Sequence, residues 1–259
     1  QLLEVIRSLD EYHLLDSPGF AAHRMAVEEG FRRAQTRPAS FAGKSYPAEP
    51  DPLRQQLDSY FGAAEGPRDV PPSPAAAGLR GLVVPHIDFA RGGPCYAWGY
   101  RELEGAPPVD RWVILGTVHA PITRAFALTR KDFETPLGTV ETDRVFMDHL
   151  LATVGSAYLE DEPAHRGEHS IEFQAVFLRH RIPRQGGVRI VPILCGSFHR
   201  CVEERRTPTR DGEIEAFVAG LRDTLAALGG RSVILALAWP PPASINSMLL
   251  CAANWSVLK

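Results

Sequence analysis

Four apolar runs of strand length recur along the chain: Leu82-Val83-Val84, Trp112-Val113-Ile114-Leu115, Val188-Arg189-Ile190-Val191-Pro192-Ile193-Leu194 and Ser232-Val233-Ile234-Leu235. Short runs of this density read as strands buried on both faces. Segments of helical character separate them, over 92–104, 143–154, 168–179 and 213–228. Strands that alternate with helices pair in parallel, because each helix carries the chain back across the sheet. The expected fold is therefore α/β, a central mainly parallel sheet with helices on both faces. Ala125-Phe126-Ala127-Leu128 adds a shorter strand.

The region before this alternation has a different texture. Leu2, Val5, Ile6 and Leu9 fall on a helical stripe, and residues 20–33 fit a second helix after the Ser17-Pro18-Gly19 break. Residues 1–40 read as a helical N-terminal extension and 41–259 as one α/β domain. Residues 38–47 form a linker or extended arm. Asp51 reads as the N-cap of a helix with Pro52 in its first position, and Leu53, Leu57 and Tyr60-Phe61 supply its apolar face. The Pro-, Ala- and Gly-rich stretch 64–78 reads as a second linker.

Bulk properties exclude several classes. The chain has 259 residues, a net charge of −3 and 23% charged residues, which leaves no basic footprint for nucleic acid or an anionic membrane. No apolar run is long enough to span a bilayer, and the first residues lack a signal-peptide pattern. The four cysteines (Cys95, Cys195, Cys201, Cys251) show no CxxC pair, which favours reduced thiols and a cytoplasmic setting.

Chemistry concentrates where the strands end. His86 follows the first apolar run in Val84-Pro85-His86-Ile87-Asp88, and His119 follows the second in Gly116-Thr117-Val118-His119. His169 opens an amphipathic helix in Gly167-Glu168-His169-Ser170-Ile171-Glu172. In an open α/β sheet, ligands bind outside the carboxyl ends of the strands. Three histidines with Asp88, Glu168 and Glu172 beside them make a metal site or an acid/base site. The plainer alternatives are solvent-facing loop histidines, and a capping arrangement with a solvated charged face at 168–172. Asp88 could orient a ligating histidine or bind substrate. His169 at a helix N-terminus suits a neutral imidazole base. Cys195, in Cys195-Gly196-Ser197-Phe198-His199, is either a nucleophile or, as strand-end cysteines more often are, a small core residue. Arg91-Gly92-Gly93 reads as a turn into a helix that starts at Gly92-Gly93-Pro94. Neither GxSxG nor HExxH is present.

At these residues the sequence resembles the Memo-like family, and in particular its bacterial branch called AmmeMemoRadiSam system protein B. Phe41-Ala42-Gly43-Lys44-Ser45-Tyr46-Pro47-Ala48-Glu49-Pro50 resembles the family's AGxxYPAxP segment. Val84-Pro85-His86 is similar to its APH, Ile114 to His119 to its ILGxxH, and Phe133 to Gly138 to its FxTPLG. Glu168-His169-Ser170-Ile171-Glu172 matches its EHSIE, and Ile190 to Gly196 resembles its PVLVG strand. The matching stretches cover roughly residues 40–200 in the family's order.

The resemblance implies a fold shared with class III extradiol dioxygenases, which are non-haem iron enzymes. It places metal ligands at His86 and His119, and His169, Glu168 and Asp88 in acid/base or supporting roles. The third ligand is left open. Fe(II) is the metal implied, with Cu or Zn as alternatives. The substrate would be an unknown small molecule or peptide. A functional link to AMMECR-type and radical SAM proteins is implied as well. Two other functions stay open, a non-catalytic peptide- or protein-binding module using the same cleft, and a zinc-dependent hydrolase. Two departures stand out. His119 is followed by Ala120, where several members carry a second histidine. From about residue 236 the family pattern is lost: Ala238-Trp239-Pro240-Pro241-Pro242 stands where a Ser-x-Asp-x-(Ser/Ala)-His motif is expected. The C-terminal part is thus expected to be truncated or altered, and a sheet edge left unpaired there would invite a homodimer.

Overall fold

The computed structural model describes residues 1–182 and 187–238. Two helices come first, α1 (Leu2–Glu11) and α2 (Pro18–Arg33), the second capped by the Ser17 hydroxyl on the Phe20 N–H. The stripe of α1 forms but is not buried: Leu2, Val5 and Ile6 are 76%, 53% and 42% exposed. Strand β1 (Thr36–Arg37) leads into the arm, and α3 (Pro50–Gly62) follows. α3 starts earlier than the Asp51-Pro52 pair suggested. Glu49 is its N-cap, Pro50 takes the first position, and Asp51 pairs instead with Arg54.

The body then alternates as expected. Its elements are β2 (Gly81–Pro85), α4 (Phe89–Glu104), β3 (Arg111–Thr117), β4 (Phe126–Leu128), β5 (Asp132–Phe133), β6 (Glu141–Thr142), α5 (Arg144–Val154), α6 (His169–Arg181), β7 (Arg189–Cys195), α7 (His199–Glu203), α8 (Gly212–Leu228) and β8 (Ser232–Ala238). The main sheet has the order β2-β8-β3-β7-β4, with β6 also paired to β7. β2, β8, β3, β7 and β6 run in parallel, and β4 pairs antiparallel to β7. β1 and β5 form a separate two-stranded sheet. The tail expected to be altered lies outside the described residues except for the end of β8.

The pleat divides the core into two layers. Successive side chains of a strand point to opposite faces. Trp112, Ile114, Ile190 and Leu235 pack with α3, α4 and α6 on one face. Val113, Val191 and Ile193 pack with α5 and α8 on the other. Helices therefore cover both faces.

Two helices depart from their sequence reading. α4 begins at Phe89, with Asp88 as N-cap, and runs through Gly92-Gly93-Pro94. The glycines serve packing, not a turn: a Cβ on Gly93 would lie 2.4 Å from the Tyr60 ring. α6 is not amphipathic. Every residue from Ser170 to Leu178 is buried, Glu172 and Gln174 included.

His165, in the turn before α6, is 1% exposed, and its Nε2 lies 3.1 Å from the Ala127 carbonyl oxygen. Burial drives its pKa down to about 3. Unfolded, the same ring titrates near the ordinary value of about 6.5. The unfolded chain thus binds the extra proton first as pH falls, and stability is lost progressively from about pH 6.5 towards about pH 3. Between about pH 6 and about pH 5, the wild-type chain should lose about 1 kcal/mol more than His165→Gln. Urea denaturation at both pH values checks this, and parallel slopes for the two proteins would refute it.

No helix among the described residues is long and apolar enough to cross a membrane.

Candidate metal centre

α6 organises the site because it touches the ends of both histidine-bearing strands. Ser170 Oγ donates to the Thr117 carbonyl at the end of β3 (2.8 Å). One turn on, Gln174 Nε2 donates to the Pro85 carbonyl at the end of β2 (2.9 Å). His86 leaves β2 and His119 leaves the loop after β3, so both emerge over the first turn of α6, where His169 stands.

The three imidazoles converge. Ring centroids lie 5.5 Å apart for His86 and His119, 6.0 Å for His86 and His169, and 4.8 Å for His119 and His169. His86 is buried, His169 partly covered and His119 half exposed, so the cluster is a floor with one open side. Phe41 and Phe173 flank the His169 ring at 5.6 and 5.1 Å. Nitrogen and oxygen donors of His119, Glu168 and His169 all lie within 4.8 Å of one another.

Glu168 ties the cluster together. Its carboxylate caps α6 by accepting the Ser170 N–H (2.9 Å) and also accepts the His119 N–H (2.8 Å). The Nδ1 atoms of His119 and His169 approach it at 3.0 and 3.2 Å. The two amides and the His119 ring are hydrogen-bonded to the carboxylate, and the His169 ring lies beside it. Burial alone would raise the Glu168 carboxyl, but the two amides and the His119 ring outweigh it and hold it below the usual range. Burial lowers His169, against the opposing pull of Glu168, and favours the neutral ring.

Asp88 is placed differently from the other site residues. Its Oδ1 caps α4 on the Arg91 N–H at 3.1 Å, and its Oδ2 accepts from Arg91 Nε at 2.5 Å. Burial would raise this carboxyl; the bonds to Arg91 override that and lower it. Glu172 is not on a solvated face. It is fully buried and paired with Arg37, which is equally buried. Burial pushes the Cys195 thiol up to about 12, which suits a packing residue and not a thiolate nucleophile.

Arg37 is the supporting residue that sequence reading misses. Its Nε donates to the His165 carbonyl (2.9 Å), its Nη2 to the Glu168 carbonyl (2.8 Å) and its Nη1 to Glu172. It thereby clamps the turn that presents Glu168 and His169. The arm joins the same network: the Ser40 and Phe41 amides and the Tyr46 hydroxyl all donate to Glu172. Burial, then the Glu172 carboxylate, raises the Tyr46 pKa, so its hydroxyl stays a donor.

The contact between β3 and α6 depends on Gly116. A Cβ there would sit 2.5 Å from Ile171 Cγ1 and 2.9 Å from Ser170 Oγ. Gly116→Ala should push the start of α6 away from β3 and cost about 1–3 kcal/mol, the usual range for overpacking. Chemical denaturation measures the loss. A variant as stable as the parent would show that this interface yields freely.

Comparison with known proteins identifies the family. The family model described as Memo-like protein matches residues 37–206, a stretch that begins at Arg37 and contains the whole histidine cluster. A MEMO1 family protein of Methanopyrus kandleri is 35% identical over 165 residues, covering 63% of this chain and 57% of that protein. A MEMO1 family protein of Ignicoccus hospitalis is 37% identical over 164 residues, covering 61% and 55%. One from Methanosarcina mazei is 29% identical over 202 residues, covering 78% and 66%. The chain thus spans less than two thirds of the length of these relatives. With the motifs, the histidine cluster and this match in agreement, the chain belongs to the Memo-like protein family.

Proposed function

We propose that the chain is a metal-binding Memo-like protein whose ion is held by the imidazoles of His86, His119 and His169. The observation that carries this reading is the Glu168 carboxylate facing the Nδ1 atoms of two of the three rings. A ligating histidine commonly donates its other N–H to such a carboxylate, which fixes the tautomer and aims the free nitrogen. Here that leaves Nε2 of His119 and His169 as the donor atoms. In this reading Glu168, bonded to two amides and the His119 ring, orients the ligands.

The donor set fits the metals considered. Neutral imidazoles suit iron, copper and zinc alike, and burial already favours the neutral form of His169. A bound ion would supply Lewis acidity and, if it is iron or copper, redox chemistry towards oxygen. Fe(II) and a dioxygenase-type oxidation are the first choice, on the strength of the family resemblance. The chain's own contribution is to favour a neutral His169, to aim the rings, to close the floor with Phe41 and Phe173, and to leave the His119 side open to substrate. Asp88 keeps its acid/base role only if it can part from Arg91.

Metal analysis of protein prepared without oxygen or chelator tests the reading, with His119→Ala and His86→Ala beside it. The expected result is close to one iron, copper or zinc per chain in the parent and none in either variant. A parent that stays metal-free after reconstitution overturns the proposal, as does a variant that retains the ion. The first outcome would move a peptide- or protein-binding role for the same cleft to the front.

A further inference from the structure

A second site lies away from the histidines, where α2 meets the body. Arg32, Gln35, Arg130, Lys131, Arg144 and Glu162 line a cavity of about 320 Å³. Four cations and one carboxylate share this wall in a chain whose net charge is −3. Such a local excess runs against the balance of the whole molecule.

Internal pairing offsets part of the excess: Lys131, Arg130 and Arg144 each meet a carboxylate, while Arg32 donates to a carbonyl. Lys131 is satisfied by the protein: its Nζ donates to the carbonyls of Arg32 (3.2 Å) and Ala34 (2.7 Å) and meets Glu162 at 3.4 Å. Glu162 is neutralised by that contact. The three arginines remain. Arg32 donates Nη2 to a neutral partner, the Glu160 carbonyl, at 3.0 Å. Arg130 reaches Asp148 through Nε (2.6 Å), and Arg144 reaches Asp132 through Nη2 (2.8 Å). The Arg130–Asp148 pair is exposed, so water screens it and it holds little free energy; in the Arg144–Asp132 pair only the arginine is exposed. Each guanidinium keeps further N–H groups for another acceptor. Arg144 is moreover the first residue of α5, the end of a helix where a cation is disfavoured. A bound anion would relieve that placement and the mutual repulsion of the arginines together.

We infer that this cavity binds a phosphate group carried on a small molecule. Guanidinium forks match the oxygens of a phosphate and bind them through charge-assisted hydrogen bonds. Arg32, Arg130 and Arg144 supply the forks, while Gln35 and Leu159 line the wall where the rest of the ligand would lie. Two of these residues, Arg32 and Gln35, precede residue 37, where the family match begins. The site is therefore built jointly by the N-terminal extension and the Memo-like body. It is independent of the histidine cluster and of any metal held there.

Calorimetric titration of the whole chain at low, fixed ionic strength tests the inference, with inorganic phosphate and glycerol 3-phosphate as probes and glycerol as the control. The expected result is saturable binding of both anions in the millimolar range or tighter, glycerol phosphate the tighter of the two, and no binding of glycerol. Arg32→Ala and Arg144→Ala should each weaken binding by roughly tenfold, the scale of one lost charge-assisted bond. Both side chains are exposed, so the fold should survive, and circular dichroism verifies that it does. Arg24→Ala, elsewhere on α2, should bind as the parent does. Binding should also persist in His119→Ala, which separates this cavity from the metal centre. Inorganic phosphate binding more tightly than the ester would reassign the cavity to the free ion. Absence of saturable binding, or binding that ignores both arginine substitutions, overturns the proposal.

Discussion

Arg37→Met lowers the unfolding free energy by about 3–5 kcal/mol, the cost of stranding one member of a buried ion pair. Both Arg37 and Glu172 are fully buried, so water cannot take over from the missing partner. The arginine also gives three hydrogen bonds to the carbonyls of Pro38, His165 and Glu168, which its loss leaves open. Glu172→Met should cost a similar amount, because it strands the guanidinium together with the Ser40 and Phe41 amides and the Tyr46 hydroxyl. The Arg37→Met/Glu172→Met double variant should be markedly more stable than the sum of the two losses predicts, since no unpaired charge remains. Urea unfolding of the four proteins gives the coupling directly. Additive losses, or single losses under about 1 kcal/mol, would show that the pair contributes no more than a surface contact does.

If the histidine cluster holds an ion as proposed, Glu168→Gln should weaken its binding by about 10–100-fold while leaving the fold in place. This is the usual penalty for removing a carboxylate that orients a ligating histidine. The amide keeps one oxygen, enough to go on capping α6 through the Ser170 N–H. Its NH2 end can no longer accept from a ring nitrogen, so one imidazole loses its fixed tautomer. The stability change should stay near the value of a single cap bond, about 1 kcal/mol. Competition with a chelator of known affinity, set beside a melting curve, separates the two effects. Unchanged affinity would mean that Glu168 is only a helix cap. Loss of affinity in proportion to a large loss of stability would mean that the helix start itself has collapsed.

The strands were legible because their apolar density has no other soluble explanation. Trp112 to Ile114 and Ile190 to Leu194 are buried on both sides, and a run with no polar face says so. The helix over 143–154 was equally plain, and the structure adds that Asp143 caps it. The start of α4 was misplaced because Gly92-Gly93-Pro94 carries every local sign of a break. Close packing of Tyr60 against Gly93 explains those glycines, and that contact is absent from local sequence. The character of α6 was missed for a related reason. Glu172 and Gln174 look like a polar face until their partners Arg37 and Pro85 are known, and neither partner is near in sequence. One signal was available: between Ser170 and Leu178 only Ser170, Glu172 and Gln174 are polar, which is sparse for a helix facing water.

The same distances account for what was read of the site. His86, His119 and His169 could be assigned to one edge because strand ends in a parallel sheet share a side, a rule that needs no contact information. The role of Glu168 as a shared acceptor needed coordinates, since it rests on the fold of the loop carrying His119. Asp88 looked like a partner for His86 from its spacing. Local helix chemistry claims it first, as it often does for an aspartate immediately before a helical run.

The Arg37–Glu172 contact joins residues 135 positions apart. A closure that long is costly in chain entropy and repays nothing until both ends are in place. The bonds of the arm around Ser40 and Phe41 to Glu172 should therefore form late in folding, after β2, β3 and α6 have come together. Because Arg37 also holds the turn that presents Glu168 and His169, the geometry of the histidine cluster is completed only when that distant pairing is made.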